Sequence, residues 1–116
     1  MANDIIVSDE YAWSASHGLF EWVVERLLEA VDDAATREHL ELVLSAELGA
    51  VDLRRLPDAG RAQIMRSLRG HLVPAAESGL ALTQPEPARR FTVGHVKVLA
   101  LMAEDVARSA ADEEAT

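Results

Sequence analysis

Apolar side chains recur every three to four residues in four stretches of this 116-residue chain, the spacing that places them on one face of an α-helix. Ala, Leu and Val are the most abundant apolar residues, whereas Gly and Pro together number only ten. This composition favours helices over turn-rich sheets. The sequence therefore predicts an all-α fold, an up-down-like four-helix bundle with one long connection between its third and fourth helices.

Capping residues set the bounds of the predicted helices, which run from Ser8 to Val31, Asp33 to Leu48, Asp58 to Leu72 and Thr92 to Ala111. Gly49 follows the second helix as a residue that adopts positive φ at little cost. The stretch 74–90 contains three prolines and is predicted to be irregular. Residues 5–7 are predicted to form either a β-bridge or an apolar anchor. We expect residues 1–111 to form a single helical domain and residues 112–116 to form a frayed acidic tail.

The composition and the absence of certain motifs exclude several classes of protein. The chain has no cysteine, which excludes disulfides, cysteine-based zinc sites and thiol nucleophiles. Its longest apolar run, residues 98–103, is far too short to span a bilayer, and its amino terminus does not resemble a secretory signal. Glycine-rich phosphate loops and metalloprotease or hydrolase motifs are missing. We therefore expect a cytoplasmic protein with no membrane association, no metal and no cofactor.

Acidic and basic residues are separated along the chain, whose formal net charge is −9. Residues 1–52 carry twelve acidic and two basic side chains, whereas residues 53–90 carry three acidic side chains and seven arginines. The two regions either form surface ion pairs with each other or present separate surfaces, of which the acidic one attracts a basic partner. The net negative charge opposes binding to nucleic acid, so we expect no nucleic-acid partner.

Four polar residues lie on or beside the predicted apolar helix faces. Glu47 and Arg61 each interrupt such a face, and His71 and His95 lie at the edges of others. A buried carboxylate requires a partner, so we expect Glu47 to pair with Arg61 or His71 inside the bundle. The group is interpreted either as an internal salt bridge with hydrogen-bonded histidines, or as a buried polar pocket in which Glu47 acts as acid, base or ligand.

The aromatic residues cluster near the amino terminus and do not share one face. On a helical projection Trp13 points with the core, whereas Tyr11 and Trp22 fall on the outer face with Glu25 and Glu29, and Glu21 lies at the rim. Trp and Tyr are enriched among residues that dominate protein interfaces. These five outer-face residues are therefore predicted to bind a partner. The alternative is that residues 5–7 or 74–90 fold over Trp22.

Charge, size and the aromatic cluster favour a small acidic protein that binds a basic protein partner and inhibits or regulates it. Immunity proteins and antitoxins fit this description in charge and size only. Two alternatives remain open. One is a helical-bundle enzyme, or a small-molecule- or metal-binding bundle, that uses Glu47, His71 and His95. The other is a structural module that forms a homodimer through the fourth helix, where Val98 and Leu101 fall outside the apolar arc.

Overall fold

The computed structural model describes residues 3–79 and 85–115, which form a mixed α and β fold. Of these residues, 72% are helical and 10% lie in a three-stranded sheet. The prediction of an all-α four-helix bundle is therefore wrong, although helices predominate among the described residues, as the composition indicated. No helix in these ranges is long and apolar enough to cross a membrane.

The strands are β1 (Asn3–Ile6), β2 (Ala12–Ala15) and β3 (Ala50–Asp52), and the helices are α1 (His17–Ala30), α2 (Ala34–Ser45), α3 (Asp58–Gly70), α4 (Leu72–Gly79) and α5 (Ala88–Ala115). A 3-10 helix, Leu53–Arg55, follows β3 directly.

A small mixed sheet replaces the first half of the predicted first helix. Strand β1 pairs with β2 in antiparallel register and with β3 in parallel register, so that Ile5 lies opposite both Trp13 and Val51. These three side chains are almost fully buried, whereas alternate residues along the strands are more exposed. An alternation with period two is the pattern of a strand with one buried face. The 3.6-residue projection from Ser8 onward was therefore the wrong period for this stretch.

Two of the helices start at residues that are capped by a neighbouring side chain. The Ser16 hydroxyl accepts a hydrogen bond from the backbone of Leu19 at 3.3 Å, so α1 begins at His17 rather than after Ser8. The Asp33 carboxylate accepts from the backbone N–H of Thr36 at 3.0 Å, which confirms the predicted start of α2. Both side chains satisfy backbone N–H groups that have no partner within the first turn.

The structure corrects three further helix boundaries, one in α2 and two in α5, and adds a helix. Helix α2 ends at Ser45 rather than near Leu48, and the chain turns through Glu47, at φ 51°, and Gly49, at φ 73°, before β3. The segment predicted to be irregular contains α4, and the remainder of that prediction, residues 80–84, lies outside the described residues. Helix α5 extends beyond both predicted ends.

The chain divides into two compact units, Met1–Ser67 and Leu68–Thr116. In the first unit the sheet, α1 and α2 surround a core whose largest fully buried side chains include Trp13, Leu27, Leu40 and Ile64. In the second unit α4 packs against α5, and Leu72, Ala76, Val96, Leu99 and Ala103 are buried.

Candidate functional site

The acidic face of α1 consists of Glu21, Trp22, Glu25, Arg26 and Glu29. The last four follow the i, i+3, i+4, i+7 spacing of one helix face, with Glu21 at its rim. The Glu25 and Glu29 side chains are 54% and 67% exposed, and Trp22 is half-buried. The face therefore presents two accessible carboxylates beside part of an indole ring.

Arg26 is a member of this face that the sequence reasoning missed. Its guanidinium lies over the Trp22 ring at 5.4 Å from the centroid, within the range of a cation–π interaction. Its Nη2 lies 3.2 Å from a Glu29 oxygen and 3.8 Å from a Glu25 oxygen. The side chain thus covers part of the indole and neutralises part of the acidic charge. The spacing of Trp22 and Arg26, four residues apart on a helix, was the available sequence signal.

The Arg26 Nε atom is buried and has no hydrogen-bond partner among the described residues. Buried polar atoms are normally paired, and an unpaired one costs about 1–3 kcal/mol. Arg26 therefore keeps its position over Trp22 through ring and carboxylate contacts while one donor remains unused.

Tyr11 lies outside α1. It belongs to the connection between β1 and β2, where its carbonyl accepts hydrogen bonds from the Val7 and Ser8 N–H groups at 2.9 and 3.3 Å. The prediction that Tyr11 shares a helix face with Trp22 is therefore wrong, because the intervening residues 12–15 are extended rather than helical. Its side chain is half-buried.

His17 extends the polar network at the first turn of α1. Its Nε2 lies 2.6 Å from a Glu21 oxygen and 3.9 Å from a Glu47 oxygen. The Glu47 side chain is 75% exposed, so the prediction that it is buried and paired inside a bundle is wrong. The physical reason is that α2 ends before residue 47, which removes Glu47 from the apolar helix face.

The other members of the predicted buried pocket are likewise placed differently. Arg61 pairs with Asp58 three residues earlier on α3, and its side chain is 39% exposed. His71 is exposed between α3 and α4, and His95 is half-buried on α5. Glu47 and Arg61 belong to the first unit, and His71 and His95 to the second.

Six of the seven arginines of residues 53–90, all except Arg66, pair with acidic side chains other than Glu21, Glu25 and Glu29. Arg54 lies 2.8 Å from Asp52 and 2.9 Å from Asp9, and Arg69 lies 2.9 Å from Glu104. Arg89 and Arg90 pair with Glu86, and Arg55 with Asp52. None of the ion pairs recorded within the described ranges joins this arginine-rich segment to Glu21, Glu25 or Glu29.

Asp52 is the most constrained carboxylate of the first unit. Its two oxygens accept hydrogen bonds from the Arg54 backbone and guanidinium at 2.8–3.1 Å, and these contacts hold the pKa of Asp52 below its ordinary value. The same contacts raise the pKa of Arg54. Both groups are therefore charged at neutral pH and act as a structural clamp after β3.

An open cavity of about 370 Å³ lies beside this clamp. It is lined by Ala35, His39, Ala50, Asp52, Arg55, Leu56 and Pro57. Because Arg54 already occupies the Asp52 carboxylate, that group is not available as a base toward a molecule in the cavity. Among the described residues, no three His, Asp or Glu side chains are grouped so that they could hold a metal ion.

Comparison of the chain with protein-family models, with curated proteins and with solved structures finds no match in any of the three.

Proposed function

We propose that this protein binds a basic protein partner through the acidic face of α1 and thereby inhibits or regulates that partner. The observation that carries the proposal is that Glu25 and Glu29 stay more than half exposed, with Arg26 as their recorded ion-pair partner in the described part of the chain. The paired arginines of residues 53–90 have other acidic partners, such as Asp52, Asp58 and Glu104, which supports an acidic face that remains charged.

The face combines the two features that a binding surface for a basic protein requires. Exposed carboxylates attract positive charge over a distance of about 8 Å at physiological ionic strength and so increase the rate of encounter. A half-buried indole adds apolar area that a partner can cover, and tryptophan often dominates the affinity of such contacts.

The proposal is tested by capturing proteins from native cell extract with three immobilised forms of the chain. These are the wild type, the Glu25→Lys/Glu29→Lys variant, and a Glu38→Lys/Asp112→Lys control, which changes the net charge equally at two exposed positions elsewhere. We expect one basic protein to be captured by the wild type and the control but not by the α1 variant, and less strongly at high salt.

The captured partner is then purified and its activity is titrated with the wild-type protein. We expect its activity to change in proportion to the fraction bound. Equal capture by the α1 variant and the wild type overturns the proposed surface. A partner whose activity is unchanged at saturation overturns the regulatory role.

A further inference from the structure

Helix α5 presents an apolar stripe that its own unit leaves uncovered. Phe91, Val98 and Leu101 are 77%, 41% and 67% exposed. At 100° per residue they fall within an arc of about 80°, and they extend over about 15 Å of helix. Gly94 lies within the same arc and is exposed. These four residues are called the α5 stripe. An apolar stripe of this kind on one helix face is typical of a contact with another helix.

The stripe contains both a protruding side chain and a recess. Gly94 has no Cβ, and a Cβ at that position would meet no atom within 4 Å. It lies beside Val93 in an open cavity of about 470 Å³ whose other lining residues, such as Glu86 and Arg90, are charged. Leu101 protrudes from the same face two turns later. In knobs-into-holes packing, a protruding leucine of one helix fits such a recess on a facing helix.

Charge along α5 is separated in the same direction. The end of α5 that precedes Val98 carries Arg89, Arg90 and Lys97. Glu86, just before the helix, pairs with both arginines, so this end keeps a net positive charge. Glu104, Asp105, Asp112 and Glu113 follow Val98, with Arg108 among them. Two copies of α5 packed antiparallel bring the basic end of each against the acidic end of the other. Parallel packing brings like charges together, which is unfavourable.

We propose that the occupant of the α5 stripe is a second copy of this chain, packed antiparallel across a two-fold axis. Placing Leu101 of each copy over Gly94 of the other sets the register, in which facing residue numbers add to about 195. The same register places Arg90, whose side chain is 84% exposed, opposite Asp105, whose side chain is 44% exposed. Their partners within the chain, Glu86 and Arg108, lie 3.7 and 4.0 Å away, so each side chain can also pair with the other copy. The self-complementarity of one patch is what a two-fold interface requires.

The dimer is expected to be weak, because a stripe on one helix is smaller than the roughly 800 Å² per partner of a standard stable interface. We expect a dissociation constant of about 10–100 µM. This interface is separate from the acidic face of α1 and does not depend on the proposed function.

Sedimentation velocity of the full chain from about 1 µM to about 1 mM tests the proposal. We expect the wild type to shift from monomer to dimer over this range, and Leu101→Asp to remain monomeric. Leu42→Asp is the matched control, because Leu42 on α2 is 51% exposed and lies outside α5. It should dimerise like the wild type. Circular dichroism checks that each variant is folded.

Gly94→Glu provides a second variant that keeps the fold, because its new side chain enters open space. It should also remain monomeric. A wild type that is monomeric at about 1 mM, or dimerisation that persists in both Leu101→Asp and Gly94→Glu, overturns the proposal.

The orientation is tested by exchanging charges. Arg90→Glu and Asp105→Arg should each weaken the dimer by about threefold to fivefold, because each change removes both symmetry-related copies of this exposed ion pair. The double variant should recover wild-type affinity. A double variant that is as weak as the two single changes combined overturns the antiparallel register. Glu25→Lys/Glu29→Lys should dimerise normally, so failure of the dimer and failure of the proposed partner surface are distinguishable.

Discussion

Gly60, near the start of α3, lies directly against Thr36 on α2. A Cβ at residue 60 would lie 1.8 Å from the Thr36 Oγ1 and 2.6 Å from the Thr36 Cβ, distances at which atoms cannot coexist. Thr36 is fully buried, and its hydroxyl donates a hydrogen bond to Asp33 at 2.6 Å, which fixes its rotamer. Helices α2 and α3 can therefore pack this closely only with glycine at position 60.

We expect Gly60→Ala to lower the free energy of unfolding by about 1–3 kcal/mol, because the helices must separate to admit the methyl group. This loss should exceed the gain of up to about 1 kcal/mol that alanine brings to a helix interior. Gly70→Ala is the matched control on the same helix, since a Cβ there meets no atom within 4 Å. It should leave stability unchanged or raise it. Urea denaturation of both variants measures the difference, and equal effects would contradict the close contact.

Arg37 caps the carboxyl end of α1. Its Nη1 donates to the Val31 carbonyl at 2.9 Å and to the Leu28 carbonyl, which are among the last acceptors of that helix. We expect Arg37→Ala to cost about 1–2 kcal/mol in the free energy of unfolding, because two carbonyls lose a charged donor at the helix carboxyl end. Chemical denaturation measures this loss.

Arg37 also lies 3.8 Å from the exposed Glu41, so the cap must be separated from that ion pair. Glu41→Gln should change stability by less than about 0.5 kcal/mol, as expected for an exposed pair on one helix. If Glu41→Gln costs as much as Arg37→Ala, the stabilisation comes from the ion pair rather than from the cap.

Asp52 should make stability depend on acidic pH. Its folded-state pKa is lowered by the Arg54 hydrogen bonds, so its contribution is fully present above the ordinary pKa of about 3.9 and is lost as the pH falls through the lower folded value. We expect Asp52→Asn to be less stable than the wild type at pH 7, with the difference shrinking below about pH 4. Urea denaturation at pH 7 and at about pH 3 measures the difference in the free energy of unfolding between Asp52→Asn and the wild type.

Glu38→Gln is the control for this pH series, because Glu38 is an exposed carboxylate on α2. It should follow the wild type at both pH values. A difference between Asp52→Asn and the wild type that persists unchanged at pH 3 would show that the Asp52–Arg54 clamp does not depend on ionisation.

The parts of the fold that follow from local chemistry could be predicted from the sequence. The start of α2 at Asp33 and of α3 at Asp58 depends on capping and charge within a few residues, and both predictions hold. The exposure of Val98 and Leu101 on α5 also agrees with their predicted place outside the apolar arc. These features require no knowledge of distant partners.

The sheet could not be predicted in the same way, because its pairings are not local. Strand β3 has three residues and lies parallel to β1, so that Val51 faces Ile5 from a distant part of the chain. Because Trp13 lies in β2 and pairs with Ile5 of β1, the backbone there is extended and the first helix begins after it. The prediction that Glu47 is buried was wrong for a related reason. It required α2 to extend past residue 47, and the helix ends at Ser45.

Arg26 should protect Trp22 from solvent. The chain has two tryptophans, so a Trp13→Phe background leaves Trp22 as its only tryptophan, whose emission is followed separately from that of Tyr11. In that background, Arg26→Ala should roughly double acrylamide quenching, because the guanidinium 5.4 Å from the ring centroid no longer covers it. Arg26→Lys should give an intermediate value, since an ammonium cannot lie flat on the ring. Unchanged quenching in Arg26→Ala would contradict the stacked arrangement.

Trp22 and the carboxylates beside it should affect different steps of binding to the captured basic partner. Trp22→Ala should weaken binding by at least about 2 kcal/mol, mainly through faster dissociation, because the apolar anchor is lost after the complex forms. Glu25→Lys/Glu29→Lys should instead slow association, and the wild-type association rate should fall as salt rises, because long-range attraction sets the encounter rate.

Stopped-flow or surface-binding kinetics at two salt concentrations separate these effects. The Glu38→Lys/Asp112→Lys control carries the same net charge as the α1 variant, so it distinguishes a local surface from the field of the whole chain. Arg26→Ala should accelerate association, because it removes the one cation of the acidic face and uncovers the ring. If Trp22→Ala changes only the association rate, or if the control slows association as much as the α1 variant, then the indole is not the anchor and the acidic face of α1 is not where the partner binds.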